Sequence, residues 1–291
     1  MRLVKLSLFL TFCLSLLTGY SSDNILDKNK VTNPAVTRII YKGLELRARG
    51  KLKDAKNLFD KTRKNRLVFL TKNASKQQLN NTINTFQLGM LYFGTFCIIA
   101  PDKKSEKIAK GAMWYLEKCL KTKDFNQQLT DRDKAYIYYA IGKINLDLVM
   151  WPTPLLKPDA QDKALAESLL YSKKALQYFN KIKLKNRYLA MTLFNLATVY
   201  GMQKNDSLAL LHIKKLEDTS KELEFSNKSR VLLFANVFKI QSLYYTDRKK
   251  EAFALLQKVF PLIKNQFPDQ KIAIERLTQW QKEYESTYTS D

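Results

Sequence analysis

The stretch RARGKLKDAKNLF, residues 47–59, reads as the end of one helix, a tight turn and the start of a second helix. Gly50 stands at the turn. Counting from Gly43, Leu46 follows after three residues, Ala55 after twelve and Phe59 after sixteen. The same offsets recur in Ala197, Tyr200, Ala209 and Ile213. They recur again in Ile240, Leu243, Ala252 and Leu256, there with a bulky first member. A small residue in the first helix lets the second cross closely, and a small residue in the second receives that contact. Large residues then fill the space between neighbouring pairs. The expectation is that Gly43 and Ala55 face each other across such a crossing.

Working outward, apolar spacing stays helical from about residue 35 onward, without strand-like alternation. Eleven segments read as helices, near 35–49, 51–66, 79–97, 105–121, 133–149, 161–182, 187–203, 206–223, 228–245, 248–264 and 269–288. Eight Gly and seven Pro in 291 residues exclude collagen-like and loop-rich scaffolds, and 16 Phe with 15 Tyr exclude a disordered polar chain.

The offsets, together with RARGKLKDAKNLF and YYTDRKKEAFALLQKVF (residues 244–260), resemble the tetratricopeptide (TPR) repeat family. Two middle units depart from the pattern. Gly89 and Tyr92 fit, but Ala112 and Leu116 arrive eleven residues late, and LGMLYFG followed by KGAMWYLEKCL is similar to the Sel1-like repeat. In the third unit Gly142 is followed by Asn145 in the aromatic place, with a loosely matching second helix around Ala175. The resemblance implies an all-α, TPR-like superhelix of about five helical hairpins over residues 35–267. A C-terminal capping helix over 268–291 closes it, with Pro268 in its first turn and Ala273, Leu277, Trp280, Tyr284 and Tyr288 on one stripe.

Residues 1–19, MRLVKLSLFLTFCLSLLTG, have a basic start and an apolar run too short to remain as a spanning helix, which reads as a secretory signal. Residues 20–34 read as a polar tether. Leu17, Thr18 and Gly19 resemble a bacterial lipobox, but Tyr20 stands where the acylated Cys belongs, and Cys13 follows Phe12. The expected location is therefore the periplasm or cell envelope, with outer-membrane association only if a lipidated Cys replaces Tyr20. Cys97 and Cys119 can either form one bridge in an oxidising compartment or act as two buried small apolar residues.

His212 is the only histidine. Without a second imidazole there is no triad or zinc set, and GxxxxGK[ST] and GxGxxG are both missing. Asp131 with Asp133, and Asp159 with Asp162, sit at helix starts among bases, where capping accounts for them. The expectation is a non-catalytic protein without a cofactor.

The formal charge is +23, and residues 38–66 hold eleven bases against Glu45, Asp54 and Asp60. Arg38, Lys42, Arg49, Lys53, Lys56 and Lys64 can form a basic surface for an anionic membrane, or simply a solvated helix face. Export argues against nucleic acid.

In TPR-like arrays the first helix of each pair lines a concave groove. Phe86, Tyr139, Phe194 and Val237 fall in one row with Ile40; Phe93 and Tyr244 fall in a second with Arg47, Leu146 and Gly201. Met90 and Tyr136 flank them. The loop MWPTPLLKPD, residues 150–159, adds Trp151 on a stiff extended segment. The expected binding set is therefore Phe86, Met90, Phe93, Tyr139, Phe194, Tyr244 and Trp151, accepting a protein or peptide partner. The alternative occupant is a hydrophobic small molecule or lipid, as in transporter-associated TPR lipoproteins. The competing expectation is that the stripe is core.

Replacing Tyr20 by Cys completes the lipobox. Tyr20→Cys expressed in a bacterium with intact lipoprotein processing is expected to incorporate labelled palmitate, whereas the parent incorporates none. Equal labelling of the two proteins would remove the lipobox reading.

Overall fold

The computed structural model describes residues 34–98, 103–150, 156, 158–225, 227–268 and 271–288. The signal-like segment, Tyr20, nearly all of the tether and Trp151 lie outside the described residues. Among the described residues there are thirteen helices and no strand. They are α1 (Pro34–Ala48), α2 (Leu52–Asn73), α3 (Lys76–Leu79), α4 (Thr82–Phe96), α5 (Lys103–Leu120), α6 (Phe125–Gln128), α7 (Asp131–Met150), α8 (Pro158–Lys181), α9 (Arg187–Met202), α10 (Asp206–Lys221), α11 (Lys228–Tyr245), α12 (Lys249–Gln266) and α13 (Lys271–Tyr288). The eleven long helices match the eleven expected segments; α3 and α6 are single turns. Helix α2 continues seven residues past the expected end at 66, and α8 starts at Pro158, inside the stretch expected to be loop.

The hairpins are α1–α2, α4–α5, α7–α8, α9–α10 and α11–α12. Each second helix packs on its own first helix and on the next first helix, and successive first helices touch one another. This is an all-α helical hairpin repeat fold.

The repeat is visible in the turns. Gly50, Lys204 and Asp247 all have positive φ and each stands seven residues after its anchor, Gly43, Ala197 or Ile240. In all three turns the following N–H closes the helix on the carbonyl five residues back: Lys51 to Leu46, Asn205 to Tyr200 and Arg248 to Leu243, each at 2.9 Å. That 6→1 bond around a left-handed residue satisfies carbonyls the helix end would otherwise leave open. Only the first turn uses glycine, so the sequence signal at the other two is weaker than the geometry.

Side-chain caps start other helices. Ser75 and Gln78 form a reciprocal capping box at α3. Asn81, Asn186 and Asn205 accept backbone N–H groups at α4, α9 and α10. Each such cap is worth about 1 kcal/mol.

The close contacts of the first helices differ in one detail from expectation. The side chain nearest Gly43 is Phe59, with Ala55 also buried: a Cβ on Gly43 would stand 2.5 Å from Phe59 Cζ. Gly89 meets Leu116 in the same way at 2.6 Å, and Gly142 meets Ser172 Oγ at 2.7 Å. Thus the small residues of the third unit are Ser168 and Ser172, and Ser168 also donates to the Gly142 carbonyl at 2.9 Å. Ala175, taken from sequence as the match, is buried but one helical turn further on.

Phe59 has a second glycine against it. A Cβ on Gly94 of the next hairpin would lie 2.6 Å from Phe59 Cε1. One buried ring therefore sets the spacing both within the first hairpin and between the first two.

At the far end, Leu277 and Trp280 of α13 are buried in a cluster with Leu256, Val259 and Ile263 of α12, and Tyr284 stacks on Phe253 at 3.5 Å. Pro268 lies in the turn before α13 rather than in its first turn. The side chains of Ala273 and Tyr288 lie outside the described residues.

A helical Gly→Ala change normally stabilises by about 1 kcal/mol. Gly94→Ala is expected instead to cost about 1–3 kcal/mol, because the new methyl group meets the Phe59 ring. Urea denaturation should show the loss partly recovered in the double variant Gly94→Ala/Phe59→Leu. A stabilised single variant would exclude Phe59 as the spacer.

Candidate functional site

Three first helices that are far apart in sequence meet on the inner face. Tyr188 Oη of α9 donates to the Leu44 carbonyl of α1 at 2.8 Å, and Arg187 Nη1 donates to the Arg47 carbonyl at 3.1 Å. The rings of Tyr41 (α1) and Tyr136 (α7) pack edge to face at 5.4 Å, and Tyr136 packs on Tyr188 at 5.1 Å. The first hairpin is thereby closed onto the third and fourth.

That closure corrects the expected groove. Phe86, Met90, Phe93 and Tyr139 are buried, with Ile40 and Leu146, in the central core. Phe93 and Tyr188 both pack edge-on against Tyr139, at 5.8 and 5.3 Å. Burial pushes the Tyr139 phenol up to about 12, so it stays protonated. These side chains of the expected groove pack on one another as core. Phe194 and Tyr244, on the fourth and fifth hairpins, are half-buried; Phe194 packs on Phe238 and Tyr244 on Tyr245. The structure does not bring the six described members of the expected set together on one open surface; Trp151 lies outside the described residues.

A cleft of about 720 Å³ opens at the junction of α1, α7 and α9. Arg38, Lys42, Arg132 and Arg187 supply its cations. Tyr41, Tyr136 and Tyr188 supply aromatic wall, with Leu44, Ala48 and Leu184 between them. Glu45 also lines it but is engaged by Arg49. The Arg132 guanidinium lies 4.2 Å above the Tyr41 ring, close enough for a cation–π contact that holds it over the cleft.

The walls are fixed by hydrogen bonds. Tyr41 donates to Asp133, whose second oxygen accepts Thr130 N at 2.9 Å and Thr130 Oγ1 at 2.5 Å. Asp133 N returns a bond to Thr130 Oγ1, completing a capping box at α7. Asn186 donates to Tyr136 Oη at 3.0 Å and caps α9 through Tyr188 N and Leu189 N. Burial, and then neighbouring Asp133, hold the Tyr41 phenol far above its usual range, and burial does the same for Tyr188. Both are donors at neutral pH. Burial, then the nearby Arg47 charge, pulls Arg187 down.

Of the basic residues singled out in the sequence, Arg38 and Lys42 reach this cleft, while Arg49 pairs with Glu45 and Lys56 with Asp60. Sequence reasoning missed Tyr41, Arg132, Asn186, Arg187 and Tyr188. Their one local signal is the Asn186 cap ahead of an apolar helix; nothing in the spacing says that α9 returns to α1.

Cys97 and Cys119 are both free. Burial raises both thiols, Cys119 to about 12, so neither presents a thiolate. Among the described residues no group of three or more His, Cys, Asp and Glu is placed to hold a metal, and no helix is long and apolar enough to cross a membrane. No protein-family model matches the chain, and no curated protein matches it in sequence.

His212 is buried and stacked on Tyr200 at 5.5 Å. Burial, with Lys215 and Lys173 nearby, lowers its pKa from 6.5 to about 4. Below 6.5 the unfolded chain takes up a proton that the folded chain refuses, so stability falls on acidification. Because there is one histidine, melts between pH 7 and 5 should report it, with a slope of at most about 1.4 kcal/mol per pH unit. His212→Gln is expected to flatten that slope; an unchanged slope would rule out His212 as its source.

Proposed function

We propose that this chain is a non-catalytic, exported binding scaffold of TPR-like type, related to bacterial envelope lipoproteins, that holds an acidic segment of a protein partner. The observation that carries this reading is the cleft at α1, α7 and α9, where four cations and three tyrosines converge. Arginines held over aromatic rings pair with carboxylates without losing much side-chain freedom on binding, and tyrosines offer contact area with few torsions. The recurring turn geometry of hairpins one, four and five supports the repeat assignment. The signal-like N-terminus supports export. The alternative, carriage of a hydrophobic small molecule, draws less support: the aromatic stripe that would have lined its channel is packed on itself.

Binding of a short fluorescent glutamate-rich peptide containing apolar residues tests the reading. Arg132 is exposed but rests on Tyr41, so a melt of each variant run beside the binding isotherm separates loss of fold from loss of affinity. Arg132→Glu is expected to weaken binding by about 1–2 kcal/mol, and Arg38→Glu to add to the loss. A lysine-rich peptide should not bind. Equal affinity of parent and double variant would move the binding site elsewhere.

A further inference from the structure

The second-helix side of the array carries a different kind of surface, independent of the cleft. Trp114 sits near the middle of α5 and is 52% exposed. Lys107, Lys110, Lys118 and Lys121 stand seven and four residues before it and four and seven after it. At 100° per residue the three on α5, Lys107, Lys110 and Lys118, fall within about 40° of the tryptophan direction, and Lys121 stands in the turn just past the helix. The helix therefore presents a ridge with an indole at its crest and lysines along its length. Lys107, Lys110 and Lys121 are exposed, and Lys118 Nζ lies 4.4 Å over the indole ring.

The crest is braced from below. Tyr115 packs edge-on to Trp114 at 4.6 Å, Tyr92 of α4 lies 5.6 Å from Tyr115, and Arg63 of α2 covers Tyr92 at 4.7 Å. Gly111 leaves the space that the Tyr92 ring fills, since a Cβ there would stand 2.8 Å from Tyr92 Cε1. Two acids lie near the ridge: Glu106, which is paired with Lys110 at 2.6 Å, and the half-buried Glu117.

We infer that this ridge docks the protein on an anionic lipid surface. A ridge with an apolar crest offers no recess for a partner side chain, but it matches a plane whose outer layer is anionic and whose interior is apolar. Indole favours the boundary between headgroup and hydrocarbon, and lysine stems are long enough to leave their ammonium groups among the phosphates while the ring descends. Lysines close to such a surface each contribute attraction that is lost beyond a Debye length. Association of this kind is peripheral.

The test uses the full chain and vesicles of brominated phosphatidylglycerol mixed with brominated phosphatidylcholine, with brominated phosphatidylcholine alone as the zwitterionic arm. Bromine quenches an indole only at contact range, so the Trp114 component is read as the difference between parent and Trp114→Phe. Because Trp114 is exposed, that variant should melt with the parent. Quenching of this component is expected on the anionic vesicles, absent on the zwitterionic ones and abolished in about 1 M salt, where the Debye length is about 3 Å. In Lys107→Gln/Lys121→Gln the lipid concentration at half-quenching should rise by about fivefold for each lysine. Identical quenching in parent and Trp114→Phe, or indifference to lipid charge, would overturn the inference. So would a blue shift of the Trp114 component with poly-glutamate but not with vesicles, which would make the ridge a reader of acidic protein instead.

Discussion

The phenol of Tyr188 reaches the Leu44 carbonyl across 144 residues of sequence, and the character of the inner face follows from that bond. Leu44 and Arg47 lie at the C-terminal end of α1, where carbonyls lose their helical partners; the Arg47 carbonyl takes only the Gly50 N–H of the turn as a backbone donor, at 3.1 Å, and each carbonyl has a lone pair for a side-chain donor. Tyr188 and Arg187 both exploit this on α1, at Leu44 and Arg47. Once the first hairpin is fastened to the fourth, the aromatic rows of α4 and α7 have nowhere to face but each other. Phe86, Met90, Phe93 and Tyr139 then act as core, and the open surface moves to the rim where α1, α7 and α9 converge. A more open array with the same helices would leave those side chains facing a groove.

The local grammar of the fold was readable because it is short-range. Gly50, the Gly43 to Phe59 spacing and the two later copies all lie within seventeen residues, where helix geometry fixes who meets whom. The helix count and hairpin order follow from them. Legibility fails where a partner comes from outside the hairpin. Phe59 was assigned to fill space between pairs, but its second neighbour, Gly94, could not be named from an offset. The third unit hid its small residues as Ser168 and Ser172, because serine reads as polar. In place, both are buried against Gly142, and Ser168 bonds to its carbonyl. The left-handed turn residue Lys204 was equally silent, since lysine carries no marker for positive φ, and Asp247 carries a weaker one than glycine.

The candidate site was less legible than the fold, for a reason of the same kind. Periodicity identifies which side of a helix is apolar, not whether that side meets solvent, a ligand or another helix. The aromatic stripe was correctly assigned to the first helices, yet its burial depends on curvature, and curvature is set by a long-range contact. Arg38 and Lys42 were visible as charge, but their role at the cleft depends on Arg132 and Tyr188, contributed from 90 and more residues away.

The large positive charge is also better understood by position than by total. Many bases are neutralised locally: Lys56 and Arg63 share Asp60, Lys143 pairs with Asp147 and Lys239 with Glu217. Most of these pairs are half-buried, and each removes charge from the surface. In the two readings proposed above, recognition falls to cations ordered against aromatic rings: Arg132 over Tyr41 at the cleft, Lys118 over Trp114 on the ridge. A ring under a cation limits the rotamers the side chain samples while leaving its charge available to an incoming anion. The two places lie on opposite members of the hairpins, first helices for the cleft and a second helix for the ridge. Because each hairpin has an inner and an outer helix, a single repeat architecture can present both at once, and occupation of one need not obstruct the other.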